Sequence, residues 1–353
     1  MGSFLGGSMK KTIILLFALS ILTVTAIALI SRKGVENRVA VAPNGREIPT
    51  RWGPLDPHLT EEQIEKQGYQ AKWLDLNQVP KRHHYFERAK NFILNKNGAK
   101  AVVFHNYHPF FSKAKINQLP RGNRILVMWE PPSVLLEMYS DEILSLFDKV
   151  YTWNDDLVDG KKFFKMNYNV LQPMQENLPS FEERKLLCMV ASNLKFNDFE
   201  EELYSTRRAL ARFFEEYPEG IFDLYGRRWE GFRHAKGTIP SKHETIKEYK
   251  FNICFENTKQ PGYITEKIFD CFATGTVPIY YGATNVDQYI PKGCFIDYRQ
   301  FKSEKEMLEY IQKISKEEYE EYVENMRVYL NSEEAQQFSQ ETFAKTLIDA
   351  IEN

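Results

Sequence analysis

Residues 249–282 read YKFNICFENTKQPGYITEKIFDCFATGTVPIYYG. Phe251–Phe255 is a short apolar run, read as a buried strand, and it ends in the polar pair Glu256-Asn257. A loop with Pro261 and Gly262 follows, then Tyr263, and Thr265-Glu266-Lys267 opens a helix. Ile264, Ile268 and Phe272 recur at i, i+4 and i+8, so that helix buries one face. Gly275 ends it, and Pro278 in the next strand suits a sheet edge. In open α/β sheets ligands bind beyond the carboxyl ends of strands and at helix N-termini, where unpaired N–H groups attract phosphate. Lys267 in the first helical turn opposes the macrodipole, which prefers anions there. A bound pyrophosphate would remove that conflict; a surface Glu-Lys pair at a helix start accounts for the spacing equally well.

Outward from this unit, short apolar strands alternate with helices. A helix is expected near 81–96, and strands at 101–105, 124–129 and 149–153. After a Pro-rich polar break at 171–184, strands are expected at 186–190, 221–226, 251–255 and 277–281, and a short one near Cys294-Phe295-Ile296. Helices are expected near 199–217 and 265–274, and at 303–315, 317–330 and 333–352. Two successive α/β units imply two Rossmann-like domains facing across a cleft. The expected division is 69–180 for the first domain, 181–330 for the second and 331–353 for a C-terminal helix.

The 353 residues carry Lys+Arg 46 against Asp+Glu 48, a net charge of −2, which argues against a broad nucleic-acid-binding face. Hydrophobic residues at 43% support sizeable cores. Four cysteines are too sparse for a disulfide framework, and with no CxxC pair a structural zinc site is not expected. Residues 12–30 contain no charge and just reach the length of a membrane-spanning helix. They read as a signal-anchor after a short tail (1–11), giving a single-pass type II protein with a polar stem at 31–68. A cleaved signal peptide is the alternative, because Ala26-Ile27-Ala28 resembles a cleavage site. The sequence has no Asn-x-Ser/Thr triplet, which is compatible with a bacterial or viral source; a eukaryotic source would imply the Golgi.

The stretch 249–282 resembles the donor-binding motif of the α-(1,3)-fucosyltransferases, glycosyltransferase family ten. It has Tyr249-Lys250-Phe251, Phe255-Glu256-Asn257, Tyr263-Ile264-Thr265-Glu266-Lys267, Gly275, and Val277-Pro278 through Gly282. Ala191-Ser192-Asn193 and Asp223-Leu224-Tyr225-Gly226-Arg227 extend the resemblance to residues 186–282. It implies a GT-B fold, GDP-fucose as donor, and inverting transfer of L-fucose to an N-acetylglucosamine-containing glycan. By position, Lys267 and Arg207 would bind the diphosphate, with Arg208 the alternative to Arg207. Asn257, Tyr263 and Glu266 would hold the nucleoside or sugar. No cofactor is implied, a divalent metal being at most stimulatory.

An inverting transfer needs a base for the acceptor hydroxyl and cations for the departing GDP. Glu130 is the candidate base: it ends the apolar strand RILVMW and precedes Pro131-Pro132. Its place is similar to the family's Glu-Ser-Pro element, with Pro131 where serine is usual. A plain strand-to-turn glutamate is the competing reading. Two further readings stay open: a transferase of the same fold for another GDP-sugar or an atypical acceptor, and a catalytically inactive glycan-binding membrane protein. Trp153-Asn154-Asp155-Asp156 reads as strand-end and helix-cap residues.

Overall fold

A computed structural model describes residues 12–18, 25–32, 69–70, 73–75, 99–107, 113–117, 121–122, 124–194 and 199–352. Their strands form two sheets. The first contains β1 (Thr12–Ala18), β2 (Thr25–Arg32), β3 (Tyr69–Gln70), β4 (Trp73–Asp75), β5 (Ala99–His105), β6 (Arg124–Met128), β7 (Lys149–Thr152) and β8 (Phe163–Lys165). Its order is β3-β2-β1-β5-β6-β7-β8, with β4 paired to β2. The second contains β9 (Lys185–Val190), β10 (Phe222–Tyr225), β11 (Ala235–Gly237), β12 (Tyr249–Phe255), β13 (Val277–Tyr281) and β14 (Ile296–Asp297). All its pairings are parallel, in the order β11-β10-β9-β12-β13-β14. Counted from β9, that is the 3-2-1-4-5-6 order of a dinucleotide-binding sheet, whose switch point lies between β9 and β12. The longer helices are α1 (Tyr204–Phe214), α2 (Glu266–Ala273), α3 (Glu304–Lys313), α4 (Lys316–Leu330) and α5 (Gln340–Glu352).

The apolar runs explain the sheets. β6 is buried at every position and β12 at all but Lys250, as strands covered on both faces must be. Gly275 adopts φ 62°, the left-handed conformation that closes α2. Pro278 lies between β12 and β14 rather than on an edge strand. It is tolerated because β14 is short and pairs only with Ile279 and Tyr280, so Pro278 faces no ladder on that side.

The N-terminal apolar run corrects the expectation of a transmembrane helix over 12–30. Thr12–Ala18 and Thr25–Arg32 are strands, β1 lying parallel to β5 and antiparallel to β2. A charge-free run rich in Ile, Leu, Val and Thr satisfies a buried strand as readily as a helix, and periodicity does not separate the two. The first sheet is therefore mixed. Among the described residues no helix is long and apolar enough to cross a membrane. The helix expected at 81–96 and stem residues 33–68 lie outside the described residues.

The two sheets share one continuous core. Arg184, buried in the connecting segment, donates to the carbonyls of Pro179 (3.0 Å), Tyr249 (3.1 Å) and Thr274 (3.1 Å), which ties that segment to the second sheet. Helix α5 crosses back to the first sheet. Its Phe343 stacks on Trp129 at 5.5 Å, and Lys149 Nζ donates to the Ala350 carbonyl at 3.0 Å.

Candidate active site

A cavity of about 420 Å³ opens beyond the carboxyl ends of β9 and β12. Ala191, Arg207, Asn257, Glu266 and Lys267 line it from the second sheet's side, and Glu130 lines it from the first. This is where the switch point of a 3-2-1-4-5-6 sheet places a ligand. Five of the six residues singled out in the sequence thus meet around one space.

Thr265 caps α2, its Oγ1 accepting from the Lys267 N–H at 3.5 Å. The Lys267 ammonium does not face open solvent. It pairs with the fully buried Glu256 at 2.8 Å and lies 3.6 Å from Glu266. Glu256 also accepts from the Thr265 N–H (2.9 Å) and hydroxyl (2.8 Å). Burial alone would push the Lys267 ammonium down, but Glu256 and Glu266 hold it above its ordinary value, so it stays charged. The conflict between a lysine and the helix dipole is therefore already relieved by Glu256, a residue to which spacing assigned no role. The contact closes across a loop, and only the fold reveals it.

Arg207 is buried on α1. Its Nη2 donates to the carbonyls of Phe255 (2.5 Å) and Glu256 (2.6 Å) and to Asn257 Oδ1 (3.1 Å), and its guanidinium lies 5.0 Å from the Tyr204 ring centroid. The arginine thus caps the carboxyl end of β12, and burial lowers its affinity for the proton without discharging it. Arg207 lines the cavity, whereas Arg208 does not and donates to the Leu194 carbonyl at 2.8 Å. Glu266 stays ionised: burial raises it, and Lys267 and Lys242 outweigh that.

Glu130 follows β6, and its backbone is fixed on several sides. Asn106, held at φ 61°, accepts through Oδ1 from the N–H groups of Trp129 (2.7 Å) and Glu130 (3.0 Å). The Tyr139 hydroxyl donates to the Glu130 carbonyl at 2.8 Å. Trp153 Nε1 (2.8 Å) and the Tyr168 hydroxyl both donate to the Trp129 carbonyl. With Pro131-Pro132 following, the carboxylate is presented from a rigid turn.

Tyr263 is the exception among the expected site residues. It is buried behind the cavity wall, 4.5 Å from the Trp153 ring and 6.0 Å from the Tyr168 ring, with Asn257 Nδ2 3.5 Å from its hydroxyl. Burial first, then Tyr168 and Glu130, push its hydroxyl well above the ordinary range. Its ring packs the loop before α2 against Trp153 and Tyr168.

Asp155 fastens the same loop. Asn154 is the cap read from sequence, accepting from the Asp156 N–H at 3.0 Å. Asp155, however, accepts from Lys165 Nζ (2.6 Å), Asn285 Nδ2 (2.8 Å) and the Tyr289 hydroxyl (2.7 Å), while Asn285 Oδ1 accepts from the Gly262 N–H at 2.8 Å. Gly262 has φ 79°, and a Cβ there would lie 2.2 Å from the Trp153 carbonyl oxygen and 2.8 Å from Asp155 Oδ2. Gly262→Ala is therefore expected to lower stability by about 2–4 kcal/mol. Thermal melting and nucleotide titration would show it as a lower Tm and weaker binding; an unchanged Tm would mean that the loop does not need this close approach.

Residues 181–350 match the family model described as glycosyltransferase family 10 (fucosyltransferase) C-term. An α-(1,3)-fucosyltransferase, FucT, of Helicobacter pylori is 40% identical over 244 residues, covering 62% of this chain and 49% of that protein. The mouse 4-galactosyl-N-acetylglucosaminide 3-alpha-L-fucosyltransferase 9 is 31% identical over 224 residues, covering 62% of this chain and 57% of that protein. The chain thus spans about half the length of the curated relatives it matches. Among solved structures, Staphylococcus aureus TarM in complex with UDP has TM-score 0.52 at 10% identity, covering 76% of this chain and 58% of that one, a likeness of fold alone. The fold is α/β and GT-B-like, and residues 181–350 are similar to glycosyltransferase family 10, the fucosyltransferases.

Proposed function

We propose that the protein is an inverting α-(1,3)-fucosyltransferase that moves L-fucose from GDP-fucose to an N-acetylglucosamine-containing glycan. One observation carries the reading: two cations at the carboxyl end of β12, Arg207 and Lys267, share a single cavity with Glu130 from the opposite sheet. In the proposed reaction Glu130 takes the proton of the acceptor hydroxyl as its oxygen bonds to the fucose anomeric carbon. The bond from that carbon to the diphosphate oxygen breaks on the opposite face, and GDP leaves with the electron pair. Arg207 and Lys267 neutralise the charge that develops on the diphosphate. The acceptor enters from the side of the first sheet, and no metal is required, because the cations supply the charge. The run expected to anchor the chain holds β1 and most of β2, so no membrane association is proposed through it.

The test is a donor panel with the full chain and a glycan acceptor array. Transfer from GDP-fucose but not from GDP-mannose is expected, without added divalent metal. Transfer from GDP-mannose alone would replace the donor assignment, a substitution that the unusual Glu130-Pro131-Pro132 turn keeps worth testing. Binding of GDP-fucose with no turnover on any acceptor would identify a glycan-binding protein instead.

A further inference from the structure

Arg207 and Lys267 share the cavity, yet they are held in opposite ways. Lys267 pairs with a buried carboxylate, Glu256, at 2.8 Å. Arg207 hydrogen-bonds only to neutral oxygens: its Nη2 donates to the Phe255 and Glu256 carbonyls and to Asn257 Oδ1, and among the described residues Nη1 and Nε have no acceptor. A further neighbour of the guanidinium is an aromatic ring. Its central carbon lies over the Tyr204 ring, 5.0 Å from the centroid, and Tyr204 is itself a buried residue of the cavity wall. The two side chains stand at i and i+3 on α1, on one face of that helix.

One loop sets both the ring and the arginine's acceptors. Tyr204 is the first residue of α1, and the Glu202 carboxylate accepts from its N–H at 2.7 Å and from that of Ser205 at 3.0 Å. Glu202 bridges antiparallel to Thr258, the Leu203 N–H donates to the Asn257 carbonyl at 3.1 Å, and the Lys259 N–H donates to the Glu201 carbonyl at 2.9 Å. The start of α1 is therefore clipped to the residues that follow β12, the strand whose final carbonyl holds Nη2. A carboxylate partner would offset the guanidinium's charge and take its remaining N–H groups. An aromatic face attracts the cation and does neither. With the cavity read as a nucleoside-diphosphate site, as proposed above, we propose that Tyr204 is a positioning residue: its ring holds Arg207 so that Nη1 and Nε are left for the diphosphate.

Calorimetric titration of the full chain with GDP tests this. Tyr204→Leu should weaken GDP binding about tenfold, the size of a desolvated cation–π contact. Tyr204→Phe keeps the ring and drops the hydroxyl, and it should restore affinity to within about twofold. The loss should pass through Arg207: in an Arg207→Met background, where GDP binding is already weak, adding Tyr204→Leu should cost less than about twofold. Tyr204→pentafluorophenylalanine keeps the shape and reverses the charge of the ring face. It should bind GDP about threefold or more weakly than Tyr204→Phe, even should the leucine variant not fold. Additive losses from Tyr204→Leu and Arg207→Met would overturn the positioning role, since the ring would then act on the ligand or the fold by itself. So would a Tyr204→Phe loss as large as that of Tyr204→Leu, or equal affinities for the fluorinated and unfluorinated rings. Each of these results, with Arg207→Met still weakening GDP, would leave the donor site standing. GDP binding unaffected by Arg207→Met, or absent from the unaltered protein, would overturn the donor site itself.

Discussion

Lys267→Ala is expected to weaken GDP binding by about tenfold to a hundredfold and, in the same variant, to lower stability by about 3–5 kcal/mol. The two effects have different origins. In the native protein the ammonium partners Glu256, which is fully buried and whose remaining partners are the hydroxyl and N–H of Thr265. Deleting the lysine strands a carboxylate out of water, and that accounts for the stability loss. Loss of affinity comes instead from the missing charge opposite the diphosphate. The double variant Lys267→Met/Glu256→Gln separates them: an amide at 256 still accepts from Thr265 but carries no charge to be stranded. Its Tm should recover most of the loss while GDP affinity stays low. Recovery of both together would show that Lys267 serves the fold and not the ligand.

Glu130→Gln should reduce kcat by about 10²–10⁴-fold with GDP affinity unchanged within about twofold. The amide fits the same space and cannot take a proton. Because Asn106, Tyr139 and Pro131 fix the backbone of the turn, the substitution leaves the geometry around the carbonyls of Trp129 and Glu130 in place. A rate fall confined to kcat marks a group that acts in the transition state, whereas a fall in donor affinity would mark a contact made in the ground state. Steady-state transfer rates alongside GDP titration make the distinction. Full activity of the variant would reduce Glu130 to a strand-end residue.

Much of the second sheet was legible in the sequence because a strand buried on both faces is written as an unbroken apolar run. β12 and β13 needed no long-range information, and the cap at Thr265 and the stop at Gly275 bound the helix between them. The partners of the site residues were not legible. Glu256 and Lys267 are separated by a loop that packs through Tyr263 against Trp153, and Lys242, which lines the cavity, pairs with Asp270 on α2. Spacing along a chain reports neighbours on one element, and these contacts join different ones. The N-terminal run failed for another reason: Ile, Leu, Val and Thr in unbroken series fit a strand and a helix alike, and the length rule that favoured a membrane helix spanned what are two paired strands. Tyr263 shows a third limit: the motif marks the position, but its burial against Trp153 and Tyr168 comes from contacts between elements.

A crystal structure of the full chain with GDP tests the account most directly. It should place oxygens of the diphosphate about 3 Å from Lys267 Nζ and from the Arg207 guanidinium, with the acceptor side of the cavity facing Glu130. A nucleotide bound elsewhere, with Lys267 turned to Glu256 alone, would contradict it.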